Sequence, residues 1–255
     1  MSTVQGSVQP AQADLPDFAG GLDLFLHIAG RASQLARPPV QAALWQQVQR
    51  GALDFAWLTA VIGALAGFFT IATVQLGFGL GITVGVRVLQ ALVLGQLAGF
   101  VCALLLVAGP GTAATFELGL MRHQGELRTL RLIGIDPRDL LVLPRVLGFA
   151  FALFVLAFVF QVAAVLGGFA LAALFTQISF TQQIDALLAT LAPSALAVSG
   201  VRNLVLGAAI GLLVCDQGLV APFSPARMPQ IANHLLSRAL VALVIVHGGA
   251  ALLLR

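Results

Sequence analysis

The chain has 255 residues, 59% hydrophobic and only 9% charged, with a formal net charge of +3 and a mean hydropathy of +1.00. Soluble domains carry about 25% charged residues. This composition therefore excludes a water-soluble enzyme and predicts an all-α polytopic membrane protein with a single membrane domain. Every one of the 13 basic residues is Arg. They are spread over several loops, so the high isoelectric point is not a nucleic-acid footprint.

Residues 1–14 are small, polar and aperiodic, and are expected to be disordered. They lack the basic and apolar regions of a signal peptide. Residues 15–52 hold two amphipathic pieces separated by Arg37-Pro38-Pro39. Neither is apolar enough to span. Both suit the membrane surface, with Trp45 and arginines at headgroup level.

Residues 53–255 read as the membrane domain. One crossing needs roughly 20 apolar residues, and spans are expected at about 53–75, 86–108, 145–175, 195–217 and 231–254. A Gly-rich turn at Gly77–Gly81 separates the first two. Gly109-Pro110-Gly111 is expected to end or kink the second. The third is long enough to protrude from the bilayer, with Gly167-Gly168 as its weak point. Residues 179–192 read as a short surface helix. Most arginines fall before span one, between spans two and three, and around the loop between spans four and five. The positive-inside rule then expects a cytoplasmic N-terminus and five crossings.

Between spans two and three lies a charged island, Glu117–Arg145, with Arg122, Arg128, Arg131, Arg138 and Arg145 and four acidic residues. Thr115–Ile133 is compatible with a helix, with Leu120, Leu127 and Leu130 on one arc. Gly134 suits a helix C-cap. Asp136-Pro137-Arg138-Asp139 reads as a new helix start, with Asp at the N-cap and Pro at the first helical position. The expectation is a helix, a tight corner and a second helix leading into span three.

The island carries a resemblance. Glu117-Leu118-Gly119-Leu120-Met121-Arg122, then Gly125-Glu126-Leu127, then Gly134-Ile135-Asp136-Pro137 and Pro144-Arg145 resemble, with the same spacing, the signature of the MlaE permease family. Cys215-Asp216-Gln217-Gly218 also resembles that family, and the likeness runs from about residue 15 to the end. The resemblance implies the membrane subunit of an ABC system that moves phospholipids or related lipids between bacterial membranes. It implies that the region 115–143 is a cytoplasmic coupling element on which a separate ATPase docks, through Glu117, Gly119, Met121, Arg122, Glu126, Leu130, Gly134, Asp136 and Pro137. It further implies a dimer, as a homodimer or with a second permease, in the bacterial inner membrane. The other implied partners are a periplasmic MCE-domain protein, a STAS-domain protein and phospholipid.

The sequence departs from the family pattern at named positions. Gln96 stands where the family carries Glu, Gly109 stands where it carries Arg, and the Gly-rich loop after span four is replaced by a Pro-rich one. A basic position in span four survives as Arg202. Gln96 and Arg202 are the candidate lipid-pathway residues, since polar groups at membrane depth face a cavity or a partner. The departures leave a second reading, a non-transporting structural or regulatory paralogue in a heteromeric complex. An intramembrane lipid enzyme is disfavoured, because no nucleophile, metal-ligand or paired-acid motif is present. No Walker A motif occurs, so ATP hydrolysis belongs to another chain. Cys102, Cys215, His234 and His247 read as packing residues, and no cofactor or metal is expected.

Overall fold

A computed structural model describes residues 45, 47–79, 81–134, 138–175, 179–190, 193–220 and 228–253. The tail 1–14, most of the two amphipathic pieces, and Asp136 and Pro137 lie outside the described residues. Within them, the fold is helical without strands, and five helices are long and apolar enough to cross a membrane. We label the elements α1 (Gly51–Gln75) and α2 (Ile82–His123), α3 (Glu126–Leu132), α4 (Leu143–Phe175), α5 (Phe180–Thr190), α6 (Pro193–Val220) and α7 (Met228–Leu253).

The apolar helix α4 is the axis of the bundle. It has 33 residues without a break at Gly167-Gly168, and Phe149, Leu153, Leu156, Phe160 and Phe169 on it are fully buried. Its two principal neighbours are α1 and α6. Both approach through glycines four apart. On α1, a Cβ at Gly63 would lie 2.6 Å from the Phe160 carbonyl oxygen, and one at Gly67 would overlap the carbonyl of Ala164. On α6, a Cβ at Gly207 would lie 2.7 Å from the Phe149 carbonyl oxygen, and one at Gly211 would lie 2.8 Å from Val146 Cα. Lipid tails are as apolar as side chains, so membrane helices associate by close packing, and small residues let backbones meet.

The outward face of α1 shows the complement. Leu53, Trp57, Val61, Leu65 and Phe69, spaced four apart, are all exposed. In water that stripe would be untenable; in hydrocarbon it is the solvated surface.

Of the two outcomes expected at Gly109-Pro110-Gly111, an end or a kink, the structure excludes the end: α2 is helical for 42 residues. The chain passes Pro110 in wide π-type turns over Val107–Gly111. Thr112 Oγ1 donates to the carbonyls of Ala108 at 2.9 Å and Gly109 at 2.8 Å, so acceptors near the proline are satisfied locally. At 1.5 Å per residue α2 is about 63 Å long, roughly twice the ~30 Å hydrocarbon core. One of its ends therefore stands outside the membrane.

The end that protrudes is the island. Here too the structure differs from a single helix over 115–133. Gly125 has φ +79 and Gly134 φ +80, a left-handed conformation that costs other L-residues roughly 1–2 kcal/mol. The first breaks the segment into the end of α2 and α3; the second ends α3.

Candidate coupling elbow and polar strip

The bundle has two chemically distinct ends. At one, the start of α1, the end of α2, α3, the start of α4, the end of α6 and the start of α7 meet. The elbow between α2 and α3 is fastened there by a small apolar cluster: Leu118 and Leu127 pack with Val142, Val146, Cys215 and Leu219. Three polar ties surround it. Arg122 Nη1 donates to the Leu219 carbonyl at 2.6 Å. Arg145 Nη2 reaches Glu117 Oε2 at 3.3 Å. Arg238 Nη1 pairs with Asp216 Oδ2 at 2.9 Å and with Gln217 Oε1 at 3.2 Å.

The expected coupling residues divide by environment. Gly119 is buried because α6 runs beside this turn, and neighbouring Gly218 sits against Leu118 and the Thr115 carbonyl. Met121, Arg122 and Leu130 are half-buried, while Glu117, Glu126 and Gly134 are exposed. Among the exposed residues are large apolar ones: Leu120 at 42%, Leu132 at 79% and Ile133 at 64%. These sit on the elbow, beside the charged residues of the island. Beside it, between α1 and α2, a cavity of about 360 Å³ is lined by Gln47, Asp54, Phe55, Gly109, Pro110 and Glu117.

Gly109 explains itself in the structure. A Cβ there would run into the ring of Phe55. The place that a longer side chain would take is filled by an aromatic residue from α1, a compensation not visible in the local sequence.

The second polar feature lies inside the bundle. Over Leu89–Leu97 α2 again adopts wide turns, with the Ala98 N–H reaching back to Val93 O. Side chains from α4 and α6 bond to carbonyls of this stretch. Gln161 Nε2 donates to Leu94 O at 3.2 Å and to Ser199 Oγ at 2.9 Å. Arg202 Nη2 donates to Gly95 O. A wide turn is a frequent feature of functional segments in helices, and here it gives a buried Gln and an intramembrane Arg their acceptors. A cavity of about 110 Å³ opens beside Leu94, Gly95 and Ser199, with Gln90 and Thr190 joined across it at 3.1 Å.

The two expected lipid-pathway residues are not brought together. Gln96 is exposed on the outside of α2, whereas Arg202 is half-buried and held on the inner side by Gly95. Sequence reasoning missed Gln161, Ser199 and Asn203, which are 8%, 6% and 2% exposed. Gln161 is a single polar residue in an apolar run, and Ser199 and Asn203 fall within three residues of Arg202; those were the available signals.

A helical bundle with five helices long and apolar enough to cross a membrane defines a multi-pass membrane protein. Residues 44–253 match the family described as Permease MlaE, and the chain belongs to the MlaE permease family. It is thus a permease of the ABC lipid-transport type, from a family whose members work with ATPase and MCE proteins. A search of curated proteins found no match.

Proposed function

We propose that this chain moves phospholipids or related lipids between bacterial membranes, driven by a separate ATPase that docks on the elbow. The observation that carries this reading is the exposed apolar trio Leu120, Leu132 and Ile133 beside exposed Glu126 on an element that projects past the hydrocarbon. Exposed apolar residues rimmed by charge on an aqueous surface mark a protein-binding site. The ties from Arg122 and Arg145 connect that surface to α6 and α4, so a push on the elbow reaches the helices that line the bundle.

In this reading the elbow end is cytoplasmic. Arg122, Arg128, Arg145 and Arg238 gather there, in keeping with the positive-inside bias. The protein sits in the inner membrane with its N-terminus inside. It acts as a dimer with itself or with a second permease. The periplasmic MCE-domain protein and a STAS-domain protein are its further partners. Asp136 and Pro137, which the family resemblance implies as further docking residues, lie outside the described residues.

A second reading, a non-transporting paralogue in a heteromeric complex, is favoured by one observation. Phe55 occupies the space at Gly109, so the family arginine is structurally replaced there. The test of both is affinity purification of the full chain from its native membrane, followed by lipid transfer in proteoliposomes. Co-purifying ATPase and MCE protein with ATP-dependent transfer supports transport. A complex that transfers lipid equally well without this chain supports the paralogue reading. Reversal of charge at both Glu117 and Glu126 with full assembly and full ATPase stimulation would remove the elbow as the docking site.

A further inference from the structure

At the end of the bundle opposite the elbow, α5 lies over the other helices without spanning. Its 11 residues make a helix of about 16 Å, roughly half the hydrocarbon thickness. It packs on the first two turns of α2 and on α4. Leu187 enters the core, and Ile184 and Ala186 pack against it. Thr181, Gln182 and Asp185 are exposed on the other side. Two glutamines connect this helix to the spanning ones. Gln90 Nε2 of α2 donates to Thr190 Oγ1 at 3.1 Å, and Gln183 Nε2 donates to Phe169 O of α4 at 3.4 Å.

The first of these bonds stands at a cavity. Gln90 and Thr190 both line the space of about 110 Å³ between α2, α5 and α6, and Gly95 and Ser199 line it too. Ser199 Oγ accepts from Gln161, and Gly95 O accepts from Arg202. The cavity therefore joins the end of α5 to the polar strip. Gln90 itself belongs to Leu89–Leu97, the stretch of wide turns that supplies the carbonyls of the strip.

The second connection is unfavourable in part. Gln183 is 0% exposed, and its Oε1 has no hydrogen-bond partner among the described residues. Burying a carbonyl oxygen without a partner costs free energy that hydration would recover. Seating α5 incurs that cost, and lifting it returns Gln183 to water. One group thus holds the seat and another opposes it. Small elements with such a balance open locally at far lower cost than global unfolding.

We propose that α5 is a lid over this cavity, latched by Gln90 on Thr190 and biased towards opening by Gln183. The lid governs the access of water to the polar strip from the end opposite the elbow. This inference rests on the seat of α5 and is independent of ATPase docking and of the cargo.

The test is thiol labelling of the full chain in phospholipid nanodiscs, with Ser199→Cys as reporter and a small charged methanethiosulfonate as probe. Ser199 is 6% exposed, and the native Cys102 and Cys215 are fully buried. Each variant without the reporter gives its own background. Thr190→Val keeps the side-chain shape but removes the latch, and labelling should rise at least threefold. Gln183→Leu removes the unpaired carbonyl, while the Phe169 oxygen, inside α4, keeps its helical partner. Labelling should then fall at least twofold. Amide exchange of α5 should follow labelling, faster in the first variant and slower in the second. General loosening of the bundle would speed both, so the opposite signs identify a lid. Equal rates in the three proteins, changes of the same sign, or α5 exchange unmoved in both variants would overturn the proposal. So would a reporter that reacts in the latched protein as fast as an exposed thiol.

Discussion

Arg122, at the end of α2, donates a 2.6 Å hydrogen bond to the backbone oxygen of Leu219 in the last turn of α6. The last carbonyls of a helix have no partner within it and carry the negative end of its dipole. A guanidinium there meets both needs at once. The bond also spans 97 positions of sequence and makes the elbow and α6 move together. Arg122→Ala should lower stability by about 1–2 kcal/mol, the usual worth of a charged hydrogen bond that is only partly buried. Thermal unfolding in detergent measures that loss. Arg122→Lys should recover part of the stability but less of the ATPase stimulation, because a lysine offers a point charge in place of a planar fork.

The Glu117–Arg145 pair is a second tie, at 3.3 Å, with Glu117 half-exposed. Exposed pairs contribute little to stability, so its value lies in register. Glu117→Arg or Arg145→Glu alone should reduce ATPase stimulation, and the double swap should restore most of it. A double-mutant cycle on ATPase rate is the measurement, with a coupling close to zero as the contrary result.

Helix contact in the bundle rests on glycines. Gly67→Ala pushes a methyl into the Ala164 backbone, and overpacking of this kind costs about 1–3 kcal/mol. Gly85→Ala meets its nearest atoms at 3.8 Å and gains helix propensity of about 1 kcal/mol. The first should lower the melting temperature and the second should leave it unchanged or raise it. Equal effects would mean that α1 and α4 are not in close backbone contact.

The corners of the elbow require φ above zero at Gly125 and Gly134. Each to Ala should cost roughly 1–2 kcal/mol locally, with no effect on the membrane core. Asn in place of Gly should cost less, since Asn visits this conformation more readily. Limited proteolysis between α2 and α3, together with ATPase co-purification, reads out the change. Cleavage and assembly unchanged in Gly125→Ala would show that the corner tolerates a side chain.

Gln161 donates to Leu94 O and Ser199 Oγ while 8% exposed. Gln161→Leu leaves those groups to each other and should cost about 1–2 kcal/mol, as for other hydrogen bonds between membrane helices. Ser199→Ala in the Gln161→Leu background should cost more than Ser199→Ala alone, because it removes the remaining side-chain donor to their shared acceptor at Leu94.

What the sequence determined by itself is the large-scale plan. Uncharged runs longer than a bilayer crossing leave no soluble alternative, so five membrane-length helices follow from hydropathy alone. The spacing of Glu117, Gly119, Arg122, Asp136 and Pro137 was enough to carry the family, since it sits in one continuous stretch. Tertiary structure decided what depends on neighbours distant in sequence. Pro110 lies within a continuous α2 because wide turns and Thr112 accommodate it. Gly109 is matched by Phe55, Arg122 by Leu219, and Gly99 by Asn203 and His247. Gln96 and Arg202 share the label of intramembrane polar residues, yet α2 turns one outward while Gly95 holds the other inward. A hydropathy profile records how apolar a stretch is, but not which side of a helix meets lipid and which meets another helix. Only the packed bundle assigns those sides, and with them the partners of every polar group within the membrane.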